Sequence, residues 1–159
     1  MSAIPSTLVD RVLRPKRFDE LAPSLKLQML SHVVPCGFPS PAEDHTDERL
    51  DLNSRLIRHP ASTFFAIADR GSYSMDRAGV LPGAILVIDR SRAWRHRSIV
   101  LAVVDGEFTC KRLWISDEKY RLMPDSHDPR YRPIEPAESA EVTIWGVVTA
   151  AVNEFDRIQ

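Results

Sequence analysis

The stretch "SIVLAVVDGEFTCKRLWI", residues 98–115, constrains the fold more than any other part of the chain. Two apolar runs flank Asp105-Gly106, a dipeptide suited to the two-residue turn in which both central residues take positive φ. Such a turn joins antiparallel strands, so the stretch reads as a hairpin. Its surroundings are of the same kind. "TFFAIAD" is apolar and β-prone, "AILVID" follows the turn Leu81-Pro82-Gly83, "YRLMPDS" reads as a short strand, and "AEVTIWGVVTAAV" closes the series. Gly146 within that last run marks a bulge or a bend. The one helical signal is "DLNSRLIRHP", where Asp51 can cap, Leu52, Leu56 and Ile57 supply an apolar face, and Pro60 stops the helix. Many short strands, tight turns and little helix predict a mostly β domain over residues 48–159, built on a compact, curled, barrel-like sheet.

Residues 1–47 read differently. Pro5, Pro15, Pro23, Pro35, Pro39 and Pro41 interrupt every candidate helix, because proline lacks the N–H donor and clashes with the preceding turn. Within this region "SLKLQMLSHVV" alternates in part and fits a strand or an extended run on a surface. The whole segment reads as an extended N-terminal arm. It carries an odd element, Cys36-Gly37, inside "HVVPCGFPSPAEDH".

Composition excludes several functions. The 159 residues suffice for one domain with a core plus an extra segment, and the net charge of −1 leaves no overall electrostatic footprint for strong direct DNA binding. The two cysteines, Cys36 and Cys110, are far apart and no C-x-x-C or Cys/His cluster occurs, so neither a metal site nor a cofactor is expected. Independence from disulfides fits a reducing cytoplasm. No apolar run approaches the roughly 18 residues of a membrane span, and the first residues lack the apolar block of a signal peptide. The expectation is a cytoplasmic protein without membrane contact.

The chemistry-bearing residues are few. There is no G-x-S-x-G elbow. "GSYSMDRAGVLPG" places Ser74-Met75 in a loop between two strands, and "FTCKRL" places Lys111 inside an apolar strand. A lysine there is either on the solvent face or buried. If buried, desolvation disfavours its ammonium form and lowers its pKa, which makes it a general base near neutral pH. A serine beside a neutral lysine is an activated nucleophile that needs no histidine. On the residues alone, the plain alternative of a loop serine and a solvated lysine stays open.

The order "PCGFPSPA", "DLNSRLIRHP", "STFFAIAD", "SMDRAGVLPGAILVIDRS", "VVDGEFTCKRL" and a closing "WGVV" resembles the LexA/UmuD family of self-cleaving Ser/Lys peptidases of bacterial SOS mutagenesis, over roughly residues 33–150. The resemblance implies a LexA-type peptidase domain in which Ser74 is the nucleophile, Lys111 the general base and Cys36-Gly37 the bond cut. The backbone N–H groups of Ser74 and Tyr73 would receive the oxyanion. It further implies a homodimer in the bacterial cytoplasm and stimulation by the RecA filament on single-stranded DNA. A shortened product would serve a UmuC-type Y-family polymerase. Three positions depart from the family pattern. Gly71-Ser72-Tyr73-Ser74-Met75 has one extra residue between Gly and Ser, which leaves Ser72 as an alternative nucleophile. Ala84 and Arg97-Ser98 stand where Gly-Asp steps are usual, so altered turn geometry is expected there. Two other readings remain: a non-cleaving polymerase accessory and a LexA-like SOS regulator. For the regulator, the residues before Cys36 are too few for a DNA-binding head.

Overall fold

The computed structural model describes residues 27–29, 36, 48–116, 119–135 and 141–155. These fall in two units, one ending at Arg58 and the other running from His59. In the first, strand β1 (Leu27–Met29) pairs antiparallel with β2 (Glu48–Leu50), so the alternating run before the prolines does form a strand. Helix α1 (Leu52–Leu56) follows, and its N-cap Asp51 accepts the Asn53 N–H at 2.9 Å. The expected apolar face does not bury: Leu52 is 59% exposed and no residue of the helix is buried. Five residues make little more than one turn, too short to present a stripe. Cys36 lies in an exposed bend, whereas Gly37 and most of the expected arm fall outside the described residues.

The second unit is one six-stranded antiparallel sheet. It comprises β3 (Thr63–Ile67), β4 (Ile85–Asp89), β5 (Ile99–Val104), β6 (Glu107–Ser116), β7 (Lys119–Met123) and β8 (Val142–Val152). The spatial order is β3-β4-β8-β5-β6-β7. The domain is mostly β, as expected, and the sheet does not close into a barrel: β3 and β7 are its edges. The β5–β6 hairpin turns at Asp105 (φ 49°) and Gly106 (φ 86°), both in the left-handed region that its sequence favours. Strand β7 ends at Met123, three residues before the end of the expected run at Ser126, where Pro124 withdraws an N–H from the ladder.

Alternation along β5 covers both faces of the sheet. Leu101 joins Met75, Val80, Leu86, Ile88 and Val148, while Val100 and Ala102 join Leu113 and Leu122. Burying each of the larger side chains stabilises the fold by about 1.5–3 kcal/mol. Strand β8 carries an extra residue twice, opposite Leu101/Ala102 and opposite Val87/Ile88, which bends it between its neighbours. Gly146 sits at the first of these irregularities. After β7 the chain returns through 124–134, where Leu122 and Ile134 exchange backbone hydrogen bonds. That return brings 125–131 beside the loop that carries Ser74.

Candidate active site

The loop between β3 and β4 carries Ser74, and its neighbour Met75 is inserted in the core. A 3-10 turn, Asp76–Ala78, follows and is closed by Gly79 at φ 83°. A buried methionine on one side and a tight turn on the other fix the serine in place. Lys111 comes from the middle of β6, paired with Val100 of the fully buried β5 core. Ser74 is 8% exposed and Lys111 9% exposed. Lys111 Nζ lies 2.9 Å from Ser74 Oγ and donates to the Cys110 carbonyl at 3.1 Å.

Burial pushes the Lys111 pKa below its ordinary 10.5, against an opposing pull from Cys110. Burial also pushes the Cys110 thiol up to about 11, so it stays protonated and acts as packing. A lysine whose proton is loosened, in hydrogen-bond contact with a buried hydroxyl, can take that hydroxyl's proton. Both groups open into a groove of about 780 Å³. Its apolar walls include Phe65 and Ile67 of the edge strand β3 and Phe108 of β6, and Asp69 and Glu107 line it too.

Ser72, the alternative nucleophile, also lines the groove, but its Oγ accepts the Ser74 N–H at 3.4 Å. The Tyr73 N–H donates to the Tyr131 hydroxyl at 2.9 Å. Among the described residues no three His, Cys, Asp or Glu side chains are gathered to hold a metal ion, and no helix is long and apolar enough to cross a membrane.

The S24-like peptidase family matches residues 28–149 of the chain, a span that takes in both Ser74 and Lys111. The chain belongs to the LexA/UmuD family of S24-like peptidases. Among its relatives, protein ImpA of Salmonella typhimurium is 44% identical over 117 residues, which cover 74% of this chain and 77% of ImpA. Protein SamA of the same species is 43% identical over 128 residues, covering 79% and 84%. The LexA repressor of Magnetococcus marinus is 35% identical over 118 residues, covering 74% of this chain but 48% of the repressor.

In this S24-like peptidase the Ser74 loop is braced by residues that the sequence did not single out. The Asp125 N–H donates to the Ser74 carbonyl at 2.9 Å, and the Asp125 carbonyl accepts the Arg77 N–H at 3.0 Å. The Asp125 carboxylate is in turn gripped by Arg112, whose Nε donates to it at 2.9 Å and whose Nη2 also contacts it. Arg112 is the residue next to Lys111. One ion pair therefore ties the strand of the lysine to the loop of the serine. His127 adds a second clamp, its N–H and ring nitrogen each 3.0 Å from the Asp76 carboxylate. Those contacts, the His127 side chain first, hold Asp76 down at about 2. The only sequence signal for this brace was the pair Lys111-Arg112, which cannot share one strand face.

Proposed function

We propose that the chain is a self-cleaving serine endopeptidase of the SOS DNA-damage response that cuts its own Cys36-Gly37 bond. The observation that supports this most directly is the 2.9 Å contact between two buried groups, Lys111 Nζ and Ser74 Oγ, at the wall of a groove. In the reading, neutral Lys111 takes the Ser74 proton as Oγ attacks the Cys36 carbonyl carbon. The tetrahedral intermediate collapses, the C–N bond to Gly37 breaks, and Lys111 passes the proton to the leaving amine. Water, deprotonated by Lys111, then hydrolyses the acyl-serine and frees the Cys36 carboxylate. The Ser74 N–H receives the oxyanion, since its present contact with Ser72 Oγ is long. The Tyr73 N–H joins it once released from Tyr131.

Residues 1–47 are the arm that carries the scissile bond. The RecA filament on single-stranded DNA stimulates the cut, and the shortened homodimer works with a UmuC-type Y-family polymerase in the bacterial cytoplasm. Membership of the LexA/UmuD family, with ImpA and SamA matched over most of their length, supports this role.

The test is the mass of the purified full chain, followed at pH about 10, where more lysine is neutral, and separately with RecA filaments at neutral pH. Loss of residues 1–36 is expected in both. Ser74→Ala and Lys111→Ala each stop it, and Ser72→Ala does not. An intact chain under both conditions would instead support a non-cleaving accessory.

A further inference from the structure

The chain is close to neutral as a whole, but its charge is unevenly spread. "RSRAWRHR", residues 90–97, holds four arginines, a histidine and a tryptophan, with no acidic residue. Arg90 is committed to the fold, its guanidinium 4.6 Å from the Trp145 ring. Arg92, Arg95 and Arg97 are exposed, and among the described residues none of them has an ion pair.

This loop is held in shape. The Arg97 N–H donates to the Leu113 carbonyl at 2.7 Å, the Arg95 N–H to Ser98 Oγ at 2.9 Å, and the Ile115 N–H to the His96 ring at 3.0 Å. Two indoles lie on this surface. Trp94 is 51% exposed between Arg92 and Arg95, and Trp114 is 42% exposed with its ring edge-on to His96 at 4.6 Å. Arg121 stands opposite Trp114 across β6–β7, already engaged by Glu135 at 3.3 Å. No residue of 90–97 lines the Ser74 groove.

We propose that the Arg90–Arg97 loop, with Trp94 and Trp114, is a contact surface for single-stranded nucleic acid. Arginines track phosphates and exposed aromatic faces stack on unpaired bases, the combination by which single strands are held without sequence preference. An acidic peptide would use the cations and leave the indoles idle. A duplex would keep its bases stacked and offer the indoles nothing. Three guanidiniums without an ion pair make this a salt-sensitive site, set against a net acidic remainder of the chain.

The measurement is fluorescence anisotropy of a labelled oligodeoxythymidylate of about 16 nucleotides, titrated with the full Ser74→Ala chain so that cutting plays no part. Saturable binding is expected at about 50 mM salt, with log K falling against log[salt] at a slope of about −2 for three phosphate contacts. Combined Arg92→Ser, Arg95→Ser and Arg97→Asn weakens binding at least about tenfold and flattens that slope. Asn is chosen at 97 because that residue holds φ 71°. Trp94→Ala weakens it about fivefold or more and leaves the slope unchanged. The single tryptophan variant and the salt slope still decide the question if the triple variant misfolds. No binding at low salt, indifference to Trp94→Ala, or equal competition by polyglutamate would each overturn the proposal.

Discussion

Lys111 and Arg112 are adjacent cations with opposite tasks. Lys111 is buried, which disfavours its charged form, while Arg112 pairs its charge with Asp125. Removing the first should not harm the fold. Lys111→Met keeps the volume and drops a group whose ionised form is disfavoured there, so Tm at neutral pH should rise while cutting ceases; differential scanning fluorimetry and mass spectrometry read the two. Asp125→Ala should instead lower Tm slightly and slow cutting. The partly exposed ion pair costs only about 1 kcal/mol of stability. The Ser74 loop, however, loses its tie to the lysine strand, and a shift of about 1 Å slows cleavage by up to about 100-fold. Arg112→Lys, which keeps the charge but not the fork, should lie between. Ser74 and Lys111 stood out as candidates through the ordered set of motifs that resembles the LexA/UmuD family, since their own runs, "GSYSMDRAGVLPG" and "FTCKRL", fit a loop serine and a solvated lysine equally well. Asp125 and Tyr131 did not, because the Asp125 N–H and the Tyr131 hydroxyl meet backbone groups of Ser74 and Tyr73 more than 50 residues away, and no local pattern marks so distant a contact.

Elements show the same division between local and long-range information. The β5–β6 hairpin was written in Asp105-Gly106, and the turn closes as that dipeptide demands. The insertion of β8 between β4 and β5, which creates the sheet order, comes from pairing across distant segments that no local pattern encodes. The weak face of α1 was overread because three apolar residues on one turn look like an amphipathic stripe whether or not anything packs on them. Glycines separate the two kinds of constraint. Gly146→Ala would place a Cβ 2.7 Å from Ile88 Cγ2, a side chain fully buried in the core. Overpacking of that kind should cost about 1–3 kcal/mol, read by urea unfolding. Gly106→Ala meets nothing within 4 Å, and its penalty comes only from φ 86°, about 1–2 kcal/mol. Replacement by Asn separates the two: it should restore most of the loss at 106, where the left-handed region tolerates it, and none at 146.

At the scale of the molecule, ionisable groups set a pH response with two limbs. Asp89, buried at the end of β4, is pushed up by burial but held well below its ordinary range by His59, Ser91 and Ser62. Together with Asp76, it has a folded pKa below the unfolded value near 3.8. Both therefore contribute stability that is complete above about pH 4 and is lost as pH falls towards 2 and below, so Tm should drop steeply there and Asp89→Asn should blunt the drop. Lys111 works at the other end. Its folded pKa lies below 10.5, so the unfolded chain binds the extra proton between the two values, and stability rises with pH across that window. Other groups also titrate at alkaline pH, so the useful quantity is the difference between Lys111→Met and the wild-type chain. That stability gap should be largest below the folded pKa of Lys111 and close as pH approaches 10.5. The self-cleavage rate should rise over the same window, because one deprotonation both relieves the buried charge and arms the base. A rate that rises while the gap stays constant would mean that a different group titrates, and would remove Lys111 from the role of base.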